Sequence, residues 1–291
     1  MEKMLFDQRY EEYRLAVEDY LAGLFTDKSH WADLYESMRY SLLSGGKRIR
    51  PVLVLEFCRI CGGDWKKALP LAAAIEMIHT YSLIHDDLPC MDDDDYRRGR
   101  LTNHKVYGEA QAILAGDALL TAAFYTAANA DMPAHSIVNA IQILSGCAGE
   151  KGMVGGQILD IEGEKQMLSE EQVHTIHRLK TGALIAAACR MGVAAADGTP
   201  EQMQAARQYA ESVGLAFQIR DDMLDVLGDA QKLGKAVHAD GNKNTFVSVY
   251  GIDRCRELIA QENEKALNAL KVFEDTEFLE ALTDMLASRE F

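Results

Sequence analysis

The stretch Val213-Gly214-Leu215-Ala216-Phe217-Gln218-Ile219-Arg220-Asp221-Asp222-Met223-Leu224-Asp225 decides how the chain is read. It is apolar enough to be a buried helix, yet it carries three aspartates. Positions 218, 221, 222 and 225 recur at offsets of three and four, which places an amide and three carboxylates on one helical face. Taking three carboxylates out of water without cations costs several kcal/mol each. Hard oxygen donors in this number suit Mg²⁺, which keeps waters and completes its shell with phosphate oxygens.

A second acidic run begins at Asp86-Asp87-Leu88-Pro89-Cys90-Met91-Asp92 and continues through Asp93, Asp94 and Asp95. At about 100° per residue, Asp86 and Asp92 would sit about 240° apart on a straight helix. Pro89 lies between them and breaks the helix, so a turn there can bring Asp92 back toward Asp86. An EF-hand does not fit, because the central glycine and terminal glutamate are missing. A solvated acidic loop is the plain alternative for this run alone; a pair of such motifs points to metal and phosphate.

Cations stand near these acids in sequence: Lys47, Arg48 and Arg50 after Gly45-Gly46, then Arg97, Arg98 and Arg100, and further on Lys180, Lys235 and Lys243. Each alone reads as surface charge, but together they outline a site for two diphosphates.

The chain has 291 residues and a formal net charge of -15 from 45 acidic and 30 basic residues. That balance argues against nucleic-acid binding, which needs a basic footprint. No apolar run is long enough to span a membrane. Met1-Glu2-Lys3-Met4-Leu5-Phe6-Asp7 lacks the pattern of a signal peptide, so a cytoplasmic location is expected. Six cysteines are scattered; Cys58-Arg59-Ile60-Cys61 has the spacing of half a zinc site without a second pair, and the thiols read as buried or unreactive.

Helical periodicity dominates. It predicts helices over 8–24, 31–44, 51–61, 66–87, 105–129, 134–149, 170–195, 201–228, 253–272 and 276–288. Val247-Ser248-Val249 is the nearest thing to a strand. Only 5 prolines occur, none after Pro200, which leaves room for long helices. Joints are short and no repeat is evident, so residues 1–291 are expected to form one all-α domain of about ten helices.

Taken in order, the motifs Gly-Gly-Lys-Arg-Ile-Arg-Pro (45–51), Ile84-His85-Asp86-Asp87-Leu88-Pro89 with Met91-Asp92, Arg97-Arg98-Gly99 and Thr102-Asn103-His104 form a signature. It continues with Gly116-Asp117-Ala118-Leu119-Leu120, Gly156-Gln157-x-x-Asp160, Lys180-Thr181-Gly182 and the 217–225 run. From about Tyr40 to Gly251 the chain resembles the trans-prenyl diphosphate synthases, specifically the bacterial farnesyl diphosphate synthases. The resemblance implies an all-helical isoprenoid synthase fold around a central cavity, a homodimer, and the two aspartate motifs on facing helices.

It also implies roles for individual residues. Asp86 and Asp92, with Asp87 nearby, match ligands of two Mg²⁺ ions, and Asp221, in a motif shared with Asp222 and Asp225, matches the ligand of a third. Mn²⁺ is the alternative ion, and the sequence does not decide between the two. Arg97, Lys180 and Lys235 match the groups that hold an allylic diphosphate. Lys47, Arg50, His79 and Arg98 match the isopentenyl diphosphate site, while Thr181 and Gln218 match neutral oxygens facing the forming cation. Lys243 matches a further diphosphate contact, although Asn242-Lys243-Asn244-Thr245 departs from the Gly-Lys-Ser/Thr-Thr of many relatives.

The chemistry explains these choices. Ionising an allylic carbon–oxygen bond calls for metal and fixed cations at the departing diphosphate. The resulting carbocation calls for dipoles and dryness, not a nucleophile that would trap it. Tyr81 lies five residues before Asp86, so about 7–8 Å along the helix. With Ser82 beside it, Tyr81 matches the family's floor that stops elongation at fifteen carbons.

The implied activity is head-to-tail condensation of isopentenyl diphosphate with dimethylallyl and then geranyl diphosphate. Geranyl or geranylgeranyl synthesis is the alternative within the class. A non-catalytic subunit would show degraded aspartate motifs, a terpene cyclase would leave Lys47, Arg50 and Arg98 unexplained, and an acidic calcium-binding protein would turn over no diphosphate.

Overall fold

The computed structural model describes residues 2–27, 30–164, 166–233 and 245–288. Among them the chain is all-helical, as its periodicity predicts, with a single two-stranded exception. Four helices open the chain: α1 (Glu2–Ala22), α2 (Ala32–Leu42), α3 (Ile49–Ile60) and α4 (Leu69–Asp86). A hairpin of β1 (Tyr96–Arg97) and β2 (Arg100–Leu101) follows, then α5 (Asn103–Tyr107), α6 (Glu109–Ala128), α7 (Ala134–Ala148) and α8 (Met153–Gly163). The second half holds α9 (Glu170–His177), α10 (Ala183–Ala195), α11 (Pro200–Leu233), α12 (Phe246–Ala269) and α13 (Glu277–Ser288).

Helices α3 and α4 run through the middle. Val52 to Cys58 are all buried, and so are Leu71 to Ile78. Apolar residues cover every side of these helices, so neither has a solvent face and each must be sheathed by others. α6 lies along α4, and α10 lies along α3. The second contact is close because α10 is built of small residues: a Cβ at Gly192 would stand 2.4 Å from the Val54 carbonyl. Each buried Leu, Ile, Val or Phe here contributes about 1.5–3 kcal/mol. A smaller apolar cluster, Val173, Ala216, Ile219, Met223, Phe246 and Ile259, ties α9, α11 and α12 together.

Four features differ from the sequence reading. Met153–Gly163 is a helix, α8, that periodicity does not reveal. Three of its residues are glycines, each costing about 1 kcal/mol against alanine in a helix, and the element is held by packing instead. The expected helix over 170–195 is interrupted by one π turn at Arg178–Gly182. The helix expected over 105–129 is divided at Gly108, whose φ is 84°. Val247-Ser248-Val249 is helical, not extended, because Thr245 caps α12: its hydroxyl accepts from the Ser248 N–H at 3.1 Å and the Ser248 hydroxyl accepts from the Thr245 N–H.

The hairpin turns at Arg98 and Gly99, with φ of 53° and 74°. Two positive φ values in a two-residue loop are the twist-matched turn that antiparallel strands favour. No helix among the described residues is long and apolar enough to cross a membrane.

Candidate active site

Helix α4 ends at Asp86, one turn before Pro89. The chain then folds back so that the Asp92 N–H donates to the Asp86 carbonyl at 2.9 Å. The turn expected from Pro89 thus exists, and it brings the two aspartates of the first motif side by side. Burial, together with the charges of Asp92 and Asp87, lifts the Asp86 carboxyl to about 6, against the pull of Lys180 and Arg97. A carboxylate held at such cost is one that wants a cation.

Asp87 points elsewhere. It is buried, and its Oδ1 accepts from Arg97 Nε at 2.6 Å; Arg97 also reaches Asp94 at 3.2 Å. The hairpin therefore holds Arg97 at the edge of the aspartate cluster between two carboxylates.

Asp86 stands at the rim of a cavity of about 390 Å³. α3 contributes Arg50 to its lining, α4 contributes His79, Tyr81, Ser82 and His85, and α8 contributes Met153, Gln157 and Ile161. Lys180 and Thr181 come from the π turn and Leu184 from α10. The lining combines polar and charged side chains with apolar ones such as Leu83, Met91, Met153, Ile161 and Leu184. A further cavity of about 960 Å³ lies behind the π turn, lined by Arg178, Arg190, Glu211 and Glu262. It is larger, and none of the aspartates of either motif lines it.

The π turn matters because its extra residue sets Lys180 and Thr181 toward the cavity. Lys180 Nζ meets Asp160 of α8 at 2.6 Å. The two elements touch through Gly156, where a Cβ would stand 2.2 Å from the Lys180 backbone nitrogen. Thr181 donates its hydroxyl hydrogen to Gln218 Oε1 at 3.0 Å, and Gln218 Nε2 donates to Asp222 Oδ1 at 3.2 Å. Asp222 Oδ2 accepts the Phe246 N–H at 2.7 Å. This relay fixes the Gln218 amide and leaves the Thr181 oxygen lone pairs for the cavity. It also makes buried Asp222 the tie between α11 and α12. Asp221 is partly exposed on the same helix. Lys235 and Lys243 lie outside the described residues, as does the side chain of Asp225.

The glycine-led cations separate by depth. Arg48, with φ of 51°, turns inward and pairs with Glu18 at 2.8 Å and Glu76 at 2.5 Å. Lys47 stays exposed, and Arg50 enters the cavity with its buried Nε lacking a hydrogen-bond partner. Burial and the guanidinium groups of Arg50 and Arg98 hold His79 well below the usual imidazole range. Arg98 donates to the Gly45 carbonyl. A neutral imidazole among guanidinium groups, one of them with an unpaired donor, is a pocket built for an anion.

Sequence reasoning did not single out Asp160 as the Lys180 partner, Glu76 beneath Arg48, or His85 on the cavity wall. The Gly156-Gln157-x-x-Asp160 motif carried the signal for the first. Cys58 and Cys61 are pushed up to about 12 by burial, as inert core thiols, and among the described residues no metal cluster includes them.

The architecture is helical, with acidic and basic side chains around Asp86. The chain belongs to the polyprenyl synthetase family, whose family model matches residues 32–285; its members are prenyltransferases. The chain is 46% identical over 243 residues to a farnesyl diphosphate synthase of Micrococcus luteus, covering 83% of this chain and 84% of the relative. It is also 44% identical over 262 residues to a geranylgeranyl diphosphate synthase of Cyanophora paradoxa, covering 88% and 87%. In solved structures it resembles an apo FPP/GFPP synthase from Zymomonas mobilis, with a TM-score of 0.89 at 33% identity over 98% of this chain and 99% of that one.

Proposed function

We propose that the chain is a Mg²⁺-dependent prenyltransferase that joins isopentenyl diphosphate to dimethylallyl and then geranyl diphosphate, stopping at farnesyl diphosphate. The observation that carries the product length is Tyr81: it is buried in α4, lines the cavity, and lies below Asp86 on the same helix. The Micrococcus relative's name agrees with this reading. The Cyanophora relative's name supports the second reading, a twenty-carbon product.

The donors fit divalent metal. Among the described residues no three His, Cys, Asp or Glu side chains converge on one point. Asp86, Asp92 and Asp221 carry carboxylate oxygens, the hard donor type that Mg²⁺ shared with phosphate oxygens takes. When bound, about three such ions would neutralise charge growing on the leaving diphosphate.

The chain's own residues do the rest. Lys180, held by Asp160, and Arg97, held by Asp87, present fixed positive charge to the allylic diphosphate, and Lys235 is proposed to join them. Arg50, Arg98 and Lys47 bind the second diphosphate beside neutral His79, with Lys243 as a further contact. Thr181, oriented by Gln218, turns a neutral oxygen dipole toward the carbocation, which the apolar walls keep from water.

A second copy is proposed to cover the apolar residues that α6 and α7 leave exposed, among them Ile113, Leu114, Tyr125 and Val138. The experiment is incubation of the purified protein with isopentenyl and geranyl diphosphates and Mg²⁺, followed by identification of product length. A fifteen-carbon diphosphate is expected. Asp86→Ala and Asp221→Ala should each lower turnover by orders of magnitude, and near-normal activity in either refutes its role as a ligand.

A further inference from the structure

Gly116 lies buried on α6, facing the last turn of α4. A Cβ there would stand 2.1 Å from His85 Nε2 and 2.5 Å from its Cδ2, inside any tolerable contact. Glycine is required here by space, not by backbone conformation: only its missing side chain leaves the notch in which the imidazole rests. The ring is also anchored, since its Nε2 lies 3.1 Å from the Ile113 carbonyl. A carbonyl can only accept, so Nε2 carries the hydrogen.

The other side of this ring faces function. His85 meets Tyr81 edge to face, with ring centroids 5.7 Å apart at 79°, and both side chains line the cavity. The lining comes from α3, α4, α8, the π turn, α10 and the loop after α4, so His85 stands between α6 and the cavity. We propose that Gly116 is a positioning residue for product length: by holding His85 back against α6, it sets the width of the cavity beside the Tyr81 floor. This inference rests on the proposed prenyl transfer.

The sign follows from the geometry. A methyl group at position 116 makes the imidazole retreat until it regains ordinary contact near 3.4 Å. Whether His85 swings on its own bonds or α4 moves bodily, the displacement goes into the cavity, because packed cores do not absorb such volume elsewhere. The displacement is shorter than an isoprene unit. It therefore shifts the distribution of chain lengths and does not replace one product with another.

The test compares wild type, Gly116→Ala, His85→Ala and the double variant, each given isopentenyl and dimethylallyl diphosphates with Mg²⁺. Gly116→Ala should raise the ratio of ten-carbon to fifteen-carbon product by roughly 10-fold, the scale of a methylene-sized change in a pocket. His85→Ala should lengthen the mean product, and the double variant should match His85→Ala. A ratio that rises equally in the His85→Ala background overturns the inference, as does an unchanged product length in His85→Ala. Should Gly116→Ala fail to fold, the His85→Ala product length decides alone. A wild type that makes no prenyl product refutes the proposed function instead. The notch is then read by thermal melts, in which Gly116→Ala must destabilise wild type and leave the His85→Ala background unaffected.

Discussion

Lys180 and Asp160 close at 2.6 Å across the contact between the π turn and α8, directly above the glycine that lets the two backbones touch. The pair is partly exposed, so it contributes little to stability. What it fixes is the direction of an otherwise flexible ammonium group. Asp160→Asn should therefore leave the melting temperature within a few degrees while lowering kcat/KM for the allylic diphosphate by roughly 10-fold, about 1.4 kcal/mol of transition-state stabilisation. Steady-state kinetics check this, and unaltered kcat/KM would show that Lys180 needs no partner.

Asp86 carries a different cost. Its folded value of about 6 lies above its ordinary 3.8, with burial as the main cause. Between those values the folded protein holds a proton that the unfolded chain has released, so stability falls as pH rises through that window. At pH 7 the penalty is about 3 kcal/mol. Asp86→Asn removes it. The metal-free variant should melt a few degrees higher than wild type at pH 7, show no such gain near pH 4, and lose turnover by orders of magnitude. Melting curves at the two pH values check the prediction; a variant less stable at pH 7 would mean that the carboxylate is not strained.

Some of the geometry here is legible in the sequence: the spacing of Gln218 and Asp222 places the two side chains in contact on one helical face. Pro89 likewise announces the turn that joins Asp86 to Asp92. The depth of the cations is not legible: Arg48 and Arg50 look equivalent, yet a left-handed residue at 48 sends one guanidinium to Glu18 and Glu76 and the other to the cavity. Helix α8 and the π turn are hidden for a related reason. Their glycines and their extra residue are favourable only against a particular neighbour, and a one-dimensional pattern does not name neighbours.

His177 offers a test of packing at the α9–α11–α12 junction. Its ring stacks on Phe246 at 4.8 Å, and burial lowers its value from 6.5 to about 4. The folded protein thus keeps this imidazole neutral while the unfolded chain takes up a proton. Its contribution is complete above pH 6.5 and is lost as pH falls toward 4, up to about 3 kcal/mol. His177→Phe retains the stack and removes the titration. The difference in unfolding free energy between variant and wild type should grow in the variant's favour from pH 7 to pH 4.5, measured by urea titration. A pH-independent difference would show that the ring is hydrated in solution.

Tyr81 is the last test, because it separates shape from chemistry. The ring is buried, and burial together with the nearby Asp86 charge raises the phenol above its usual range. A phenol held neutral in an apolar cavity acts there through its bulk. Tyr81→Phe keeps that bulk and should leave the product at fifteen carbons. Tyr81→Ala removes the ring from the cavity and should yield twenty-carbon and longer diphosphates, with melting lowered by the loss of a buried aromatic, about 3–5 kcal/mol. Tyr81→Met offers a milder opening should the alanine variant prove too unstable to assay. Product lengths from isopentenyl and geranyl diphosphates decide among them. A fifteen-carbon limit surviving in both Tyr81→Ala and Tyr81→Met would place the floor elsewhere, with the His85 wall as the next surface to open.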